Sequence, residues 1–198
     1  MKKIEDMISL GICVLCPTYE KNIGNVTKII TGDGRSFIDQ RKIKTVLKII
    51  AKYHEVHIET YKEKYAKVLH QRLNIPIYLN KKLLLVPLKM RKPKFKKDGA
   101  KGYINLYAIE KIIEKETSTL VKLKNNIEIT VFNKLKTVQN QINKAKFIER
   151  EVRLKTKDEA AERKDFYTEY KTPATKGDVA RLQEEIEKLT DALKNILH

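Results

Sequence analysis

Tryptophan is absent from the 198 residues, cysteine occurs twice, proline five times and glycine seven times. Two cysteines build no disulfide framework, and such scarcity fits a reducing cytoplasm, where we expect the chain to reside. With so few glycines there is little from which to build a phosphate-cradling loop. Gly32-Asp-Gly34-Arg-Ser is too short for a Walker loop and lacks its closing Lys-Ser/Thr. No G-x-S-x-G, kinase set or H-E-x-x-H occurs. No apolar run approaches the roughly 18 residues of a membrane-spanning helix. The run from Ile8 to Leu15 holds Ser9, Gly11 and Cys13, is short for a signal sequence, and reads as a strand bounded by Pro17. Acidic residues are outnumbered, 25 against 42 Lys and Arg, and are scattered over helix surfaces without pairing in a cleft. An enzyme, a cofactor and a metal are therefore not expected. Cys13-x-x-Cys16 and His54-x-x-His57 invite a zinc site, but cysteines three apart in a strand face opposite ways.

What the chain has in excess is positive charge, +17 with a pI near 9.7. That favours an anionic partner, nucleic acid or an anionic membrane surface. The bias to Lys, 34 against 8 Arg, also follows from an A/T-rich genome, so the distribution of charge is the better signal. Residues 60–101 carry 13 basic and 2 acidic side chains, while residues 1–59 carry 10 and 7. The densest run is Lys89, Arg91, Lys92, Lys94, Lys96, Lys97 and Lys101, opposed only by Asp98 and interleaved with Pro93 and Phe95. It reads as the main loop, 89–102. Such a loop can neutralise phosphates or insert into a narrow A·T minor groove, with an apolar neighbour wedging a base step. A solvated surface loop is the plainer alternative. Lys62, Lys64, Lys67 and Arg72, with Tyr61 and Tyr65, form a second basic and aromatic patch, with Lys64, Lys67 and Arg72 the favoured contacts; an ordinary solvated helix face explains it equally well. A membrane surface is disfavoured because the basic helix 41–53 lacks Trp, Phe and Leu anchors beyond Leu47.

The pattern of residues predicts an α+β fold, a mixed or antiparallel sheet covered by helices. Strands are expected at 8–16, 25–31, 77–79 and 83–86, the last pair ended by Pro87. A hairpin turning at Asn125-Asn126 is expected over 119–132. Helices are expected at 41–53, with Ile43, Val46, Leu47 and Ile50 on one face, and at 59–69, 105–115 and from 133 onward through Leu135, Val138, Ile142, Ala145, Ile148 and Val152. Thr172-Pro173 separates a domain of residues 1–171 from a tail of 172–198. There Val179, Leu182, Ile186, Leu189, Leu193 and Ile196 alternate steps of three and four, a coiled-coil-like stripe. It reads as an oligomerisation helix, or as an amphipathic helix packed on its own domain.

In order and spacing, residues 8–150 resemble the ComK family of competence transcription factors. The matching pieces are the strand ending in Pro17, Val26-Thr-Lys-Ile-Ile30 with a second strand near Phe37, and the helix from Lys44 to Tyr53. Ile75-Pro76-Ile77 resembles the family's Pro-Pro-Ile, and Leu85-Val86-Pro87 its Leu/Phe-Phe-Pro segment. Gly102-Tyr103-Ile104 resembles an aromatic-Ile helix start. The 119–132 hairpin and Gln139-Asn140-Gln141 with Ala145 complete the series. The resemblance implies a cytoplasmic DNA-binding transcriptional activator of A/T-rich duplex sites, read through the minor groove by homo-oligomers, with RNA polymerase as a further partner. The departures are the missing Trp, the glycine-free stretch 53–67 and the heptad tail, which together mark a divergent member. Two other readings stay open: a sequence-nonspecific nucleic-acid-binding protein of a mobile element, and a coiled-coil adaptor.

Overall fold

The computed structural model describes residues 4–95, 98–171 and 175–196, with side chains described except at 157–171, 178 and 194–196. The chain forms two compact units, Met1–Val152 and Arg153–His198. The division falls inside a helix rather than at Thr172-Pro173, and residues 172–174 lie outside the described part.

The first unit is α+β. Helix α1 (Ile4–Ser9) leads into β1 (Ile12–Glu20), β2 (Gly24–Thr31) and β3 (Ser36–Asp39). Helices α2 (Ile43–Tyr53) and α3 (Ile58–Val68) follow, then β4 (Ile77–Asn80), β5 (Leu83–Lys89) and β6 (Lys101–Asn105). A single 3-10 turn at Leu106–Ala108 precedes β7 (Ile109–Glu114), β8 (Thr119–Leu123) and β9 (Glu128–Val131). Helix α4 (Leu135–Lys171) and, in the second unit, α5 (Lys176–Ile196) complete the chain. The strands form a six-stranded sheet in the order β3-β2-β1-β6-β5-β4 and a three-stranded sheet β7-β8-β9. Every pairing is antiparallel.

Both faces of the six-stranded sheet are buried. On one, Ile12, Leu15, Ile29, Ile77 and Leu85 pack against Val46, Leu47 and Ile50 of α2 and Ile58 of α3. On the other, Val14, Ile30, Leu84, Val86 and Ile104 meet Val121, Leu123 and Val131 of the small sheet and Val138 and Ala145 of α4. A strand covered on both sides loses its alternation and becomes a continuous apolar run, which is why Leu83–Lys89 begins Leu-Leu-Leu-Val. Helices alone were expected to cover the sheet; half of the second cover is another sheet.

The structure corrects several boundaries. Residues 8 and 9 belong to α1, and β1 runs through Pro17 to Glu20. Pro87 does not end β5. Pairing with β4 stops at Leu85, and Lys89, two residues beyond Pro87, turns both its N–H and its carbonyl to the outer edge, toward Asn133 and Phe132. Pro87 shares that orientation, so its missing N–H falls where no strand is paired. Residues 105–115 are a turn and a strand, not a helix. Leu106, Ile109, Ile112 and Ile113 fit a helical period, but a short β-branched segment is ambiguous alone. Pairing of Ile109–Glu114 with β8 decides it. Gly102-Tyr103-Ile104, read as a helix start, is the interior strand β6. A Cβ at Gly102 would lie 2.1 Å from Met90 Sδ and 2.7 Å from the Leu15 carbonyl, so only glycine fits this approach.

Cys13 and Cys16 also depart from the strand rule. The β1–β2 register shifts between Ile12 and Val14. This bulge turns Cys13 and Cys16 to the same face, toward the small sheet. Burial raises both thiol pKa values. His54 lies instead beside Asn80, and His57 caps α3 by accepting from the Thr60 N–H.

Candidate nucleic-acid interface

Between β5 and β6 the chain leaves the sheet for residues 90–100. Met90 N–H to the Ala100 carbonyl, 2.8 Å, closes the base of this loop. Its cationic character first attracts attention, yet Arg91 is 8% exposed. The Arg91 guanidinium donates to the Gly99 carbonyl (2.9 Å), the Thr18 carbonyl (3.2 Å) and Asn25 Oδ1 (2.9 Å). It also lies 4.3 Å from the centroid of the Tyr19 ring. Arg91 therefore ties the loop to the β1–β2 hairpin and is not a free phosphate ligand, which corrects its expected role.

Asp98, the acid opposing the basic run, has a matching task. It accepts from the Tyr19 hydroxyl at 2.7 Å and from Asn25 Nδ2 at 3.0 Å. The Tyr19 bond, with Asn25 and the fields of Arg91 and Lys42, holds its carboxyl below the ordinary value against the effect of burial. The Lys94 N–H donates to the same Tyr19 hydroxyl at 2.9 Å. One tyrosine thus organises both ends of the loop, and nothing in the basic run itself announces it.

What this scaffold leaves exposed is Lys92, Lys94 and Phe95, the last 68% exposed. Lys92 Nζ lies 5.9 Å from the Phe132 ring and Lys94 Nζ 5.2 Å from the Tyr19 ring. Phe95 meets Tyr19 edge-on at 6.5 Å between centroids. Ile23, in the β1–β2 turn, is a second exposed apolar side chain, 51% exposed. Lys96 and Lys97 lie outside the described residues. Lys89 and Lys101 are not in the loop: they are paired across β5 and β6. Lys101 is half-buried, and its pKa is lowered by burial and then by Lys62 and Lys44.

The second patch loses its aromatic part. Lys64, Lys67 and Arg72 are exposed. Tyr61 and Tyr65 instead turn inward, their ring centroids 4.6 Å apart. The Tyr61 hydroxyl accepts from the Tyr78 N–H at 2.9 Å. Burial raises the Tyr61 hydroxyl's pKa, opposed by that bond. Lys64 and Lys67 remain on the solvated face of α3, and Arg72 lies in the loop beyond its end.

In the second unit, Val179, Leu182, Ile186, Leu189 and Leu193 of α5 are each more than half exposed. The Ile196 side chain lies outside the described residues. Among the described residues no three His, Cys, Asp or Glu side chains cluster as metal ligands, and no helix is long and apolar enough to cross a membrane. Compared with models of known protein families, with curated proteins and with solved structures, the chain matches none of them.

Proposed function

We propose that this protein binds duplex DNA through the β5–β6 loop, with Lys92 and Lys94 on phosphates and Phe95 at a base step. The observation that carries the reading is the buried Arg91. It ties Gly99, in the same loop, to Thr18 and Asn25 of the β1–β2 hairpin, while Lys92 and Lys94 stay in solvent. A preorganised cationic loop loses less entropy on docking than a flexible one. An exposed aromatic among lysines suits the A·T minor groove, where cations are drawn in and apolar side chains wedge steps apart. The sequence resemblance adds A/T-rich targets and activation of transcription, and activation rests on that resemblance alone.

Fluorescence anisotropy at near-physiological salt tests this, with one duplex carrying two A-tract boxes and one G·C-rich scramble. The expected result is a preference of about 10³-fold, abolished by a minor-groove competitor. Lys92→Gln and Lys94→Gln should each weaken binding to both duplexes and lower the salt slope by about one. Equal, steeply salt-dependent affinity for the two would reduce the protein to a nonspecific nucleic-acid binder.

A second reading, self-association through the tail, is favoured by the unburied stripe of α5. In a DNA-binding protein this would join two half-sites and raise affinity by linkage.

A further inference from the structure

Beyond the start of β4, where β5 runs on unpaired on that side, the edge of the six-stranded sheet opens into a cavity of about 790 Å³. It lies in the first unit, among α2, α3, β5, β6 and the start of α4. Its volume is within the range of small-molecule sites, roughly 300–1,000 Å³. Five of the side chains around it are lysines: Lys44, Lys48, Lys62, Lys89 and Lys101. Lys89 and Lys101 bound the basic run, whereas Lys44 and Lys48 come from α2 and Lys62 from α3, and no single run predicts their meeting. The one carboxylate in the lining, Glu59, is already paired with Lys48. Among the described residues Lys44, Lys62 and Lys101 have no acidic partner within ion-pair distance.

This is an unfavourable way to leave three ammonium groups. Lys62 and Lys101 are both half-buried. Burial lowers the pKa of each. Lys44 and Lys101's neighbour Lys62 lower that of Lys101 further, while Lys44 and Lys48 act on Lys62 against the opposing pull of Glu59. An anion placed among them would remove the repulsion and replace lost hydration. The remaining wall is mixed: Ile43, Leu47, Ile58, Leu88 and Tyr103 supply its apolar part, beside Asn74, Asn133 and Thr137. Gln141 also lines the cavity, and its buried Oε1 has no hydrogen-bond partner. A buried acceptor left unpaired is unfavourable unless a ligand group satisfies it.

We propose that this cavity is a binding site for a nucleoside di- or triphosphate, its phosphates among Lys44, Lys62 and Lys101 and its base against Leu47, Ile58 and Tyr103. Gln141 then accepts from an exocyclic amine of the base. Inorganic phosphates would engage the lysines and leave the apolar wall bare. A DNA duplex is too wide to enter and would touch the rim alone.

Calorimetric titration of the full chain with ATP, adenosine and inorganic triphosphate tests the assignment. ATP is expected to saturate a single site, with the other two at least tenfold weaker. Lys62→Gln and Lys101→Gln should each weaken ATP at least tenfold. Lys111→Gln, on exposed β7, should leave ATP binding unchanged. Both pocket variants should melt at or above the parent temperature, because each removes a repelled, half-buried charge. Absence of saturable ATP binding overturns the proposal. So does inorganic triphosphate binding as tightly as ATP, or equal losses in Lys111→Gln and the pocket variants. Displacement of ATP by a short duplex, mole for mole, would return these lysines to the DNA backbone and overturn it as well.

Discussion

Asn105 holds four backbone groups at once, accepting from the Leu84 and Tyr107 N–H groups and donating to the Ile12 and Lys82 carbonyls. Near the other end of β6, Arg91 holds two backbone carbonyls, those of Thr18 and Gly99, together with Asn25 Oδ1. Arg91→Met keeps most of the apolar stem but strands the Thr18 and Gly99 carbonyls. It is expected to cost about 2 kcal/mol in denaturant unfolding and to weaken DNA binding more than one lysine change does, because the whole loop loses its anchor. An unchanged midpoint would remove Arg91 from the loop's support. Asp98 supplies a pH dependence. Its carboxyl titrates lower in the folded chain than the ordinary value near 3.9, so the unfolded chain binds protons more readily in the acid range. The stabilisation is therefore present above about pH 4 and is lost as the pH falls through the lower folded value. Amide shifts of the loop, followed by NMR, should titrate with an apparent pKa below 3.9 in the parent and not at all in Asp98→Asn. A midpoint at or above 3.9 would contradict this assignment.

At the scale of elements, periodicity served best where an element is long or one face is wet. Helix α2 lies as its stripe demanded, with Val46, Leu47 and Ile50 buried, and the β8–β9 hairpin turns at Asn125-Asn126, where Asn126 has a φ of 62°. It served worst where a partner strand decides. Ile109–Glu114 carries a helical spacing and becomes a strand because β8 stands beside it. The bulge at Cys13 and the passage of β5 through Pro87 are likewise products of pairing. Helix α5 is the element whose role is most directly testable. Its apolar stripe is exposed, so Ile186→Asp with Leu189→Asp should leave its helix content nearly intact. The pair should lower the mass measured by light scattering to that of one chain. A mass of one chain for the unmodified protein would end the oligomerisation reading.

For the whole molecule, the division of the chain after Val152 makes a further prediction. The first eighteen residues of α4, from Leu135 to Val152, supply Val138, Ala145 and Ile148 to buried clusters. A chain ended at Lys155 keeps all of them and should unfold in one cooperative transition. It should also keep the duplex affinity of a single loop while losing whatever self-association α5 provides. A truncated chain that is unfolded would show that the first unit depends on the remainder.

Composition and pattern alone determined the α+β class, the positive field, the helical tail and the position of the basic loop, because each is local or additive along the chain. Charge sums without regard to fold, and a stripe at 3.6 or 3.5 residues is carried by neighbours in sequence. Only tertiary structure decided that Arg91 is a support, that Tyr61 and Tyr65 face inward, that two cysteines share a face, and that five lysines from α2, α3, β5 and β6 surround one cavity. Each of those depends on which distant segment lies alongside. The pairing of strands and the packing of helices set that, through contacts whose partners are tens of residues apart and leave no periodic trace.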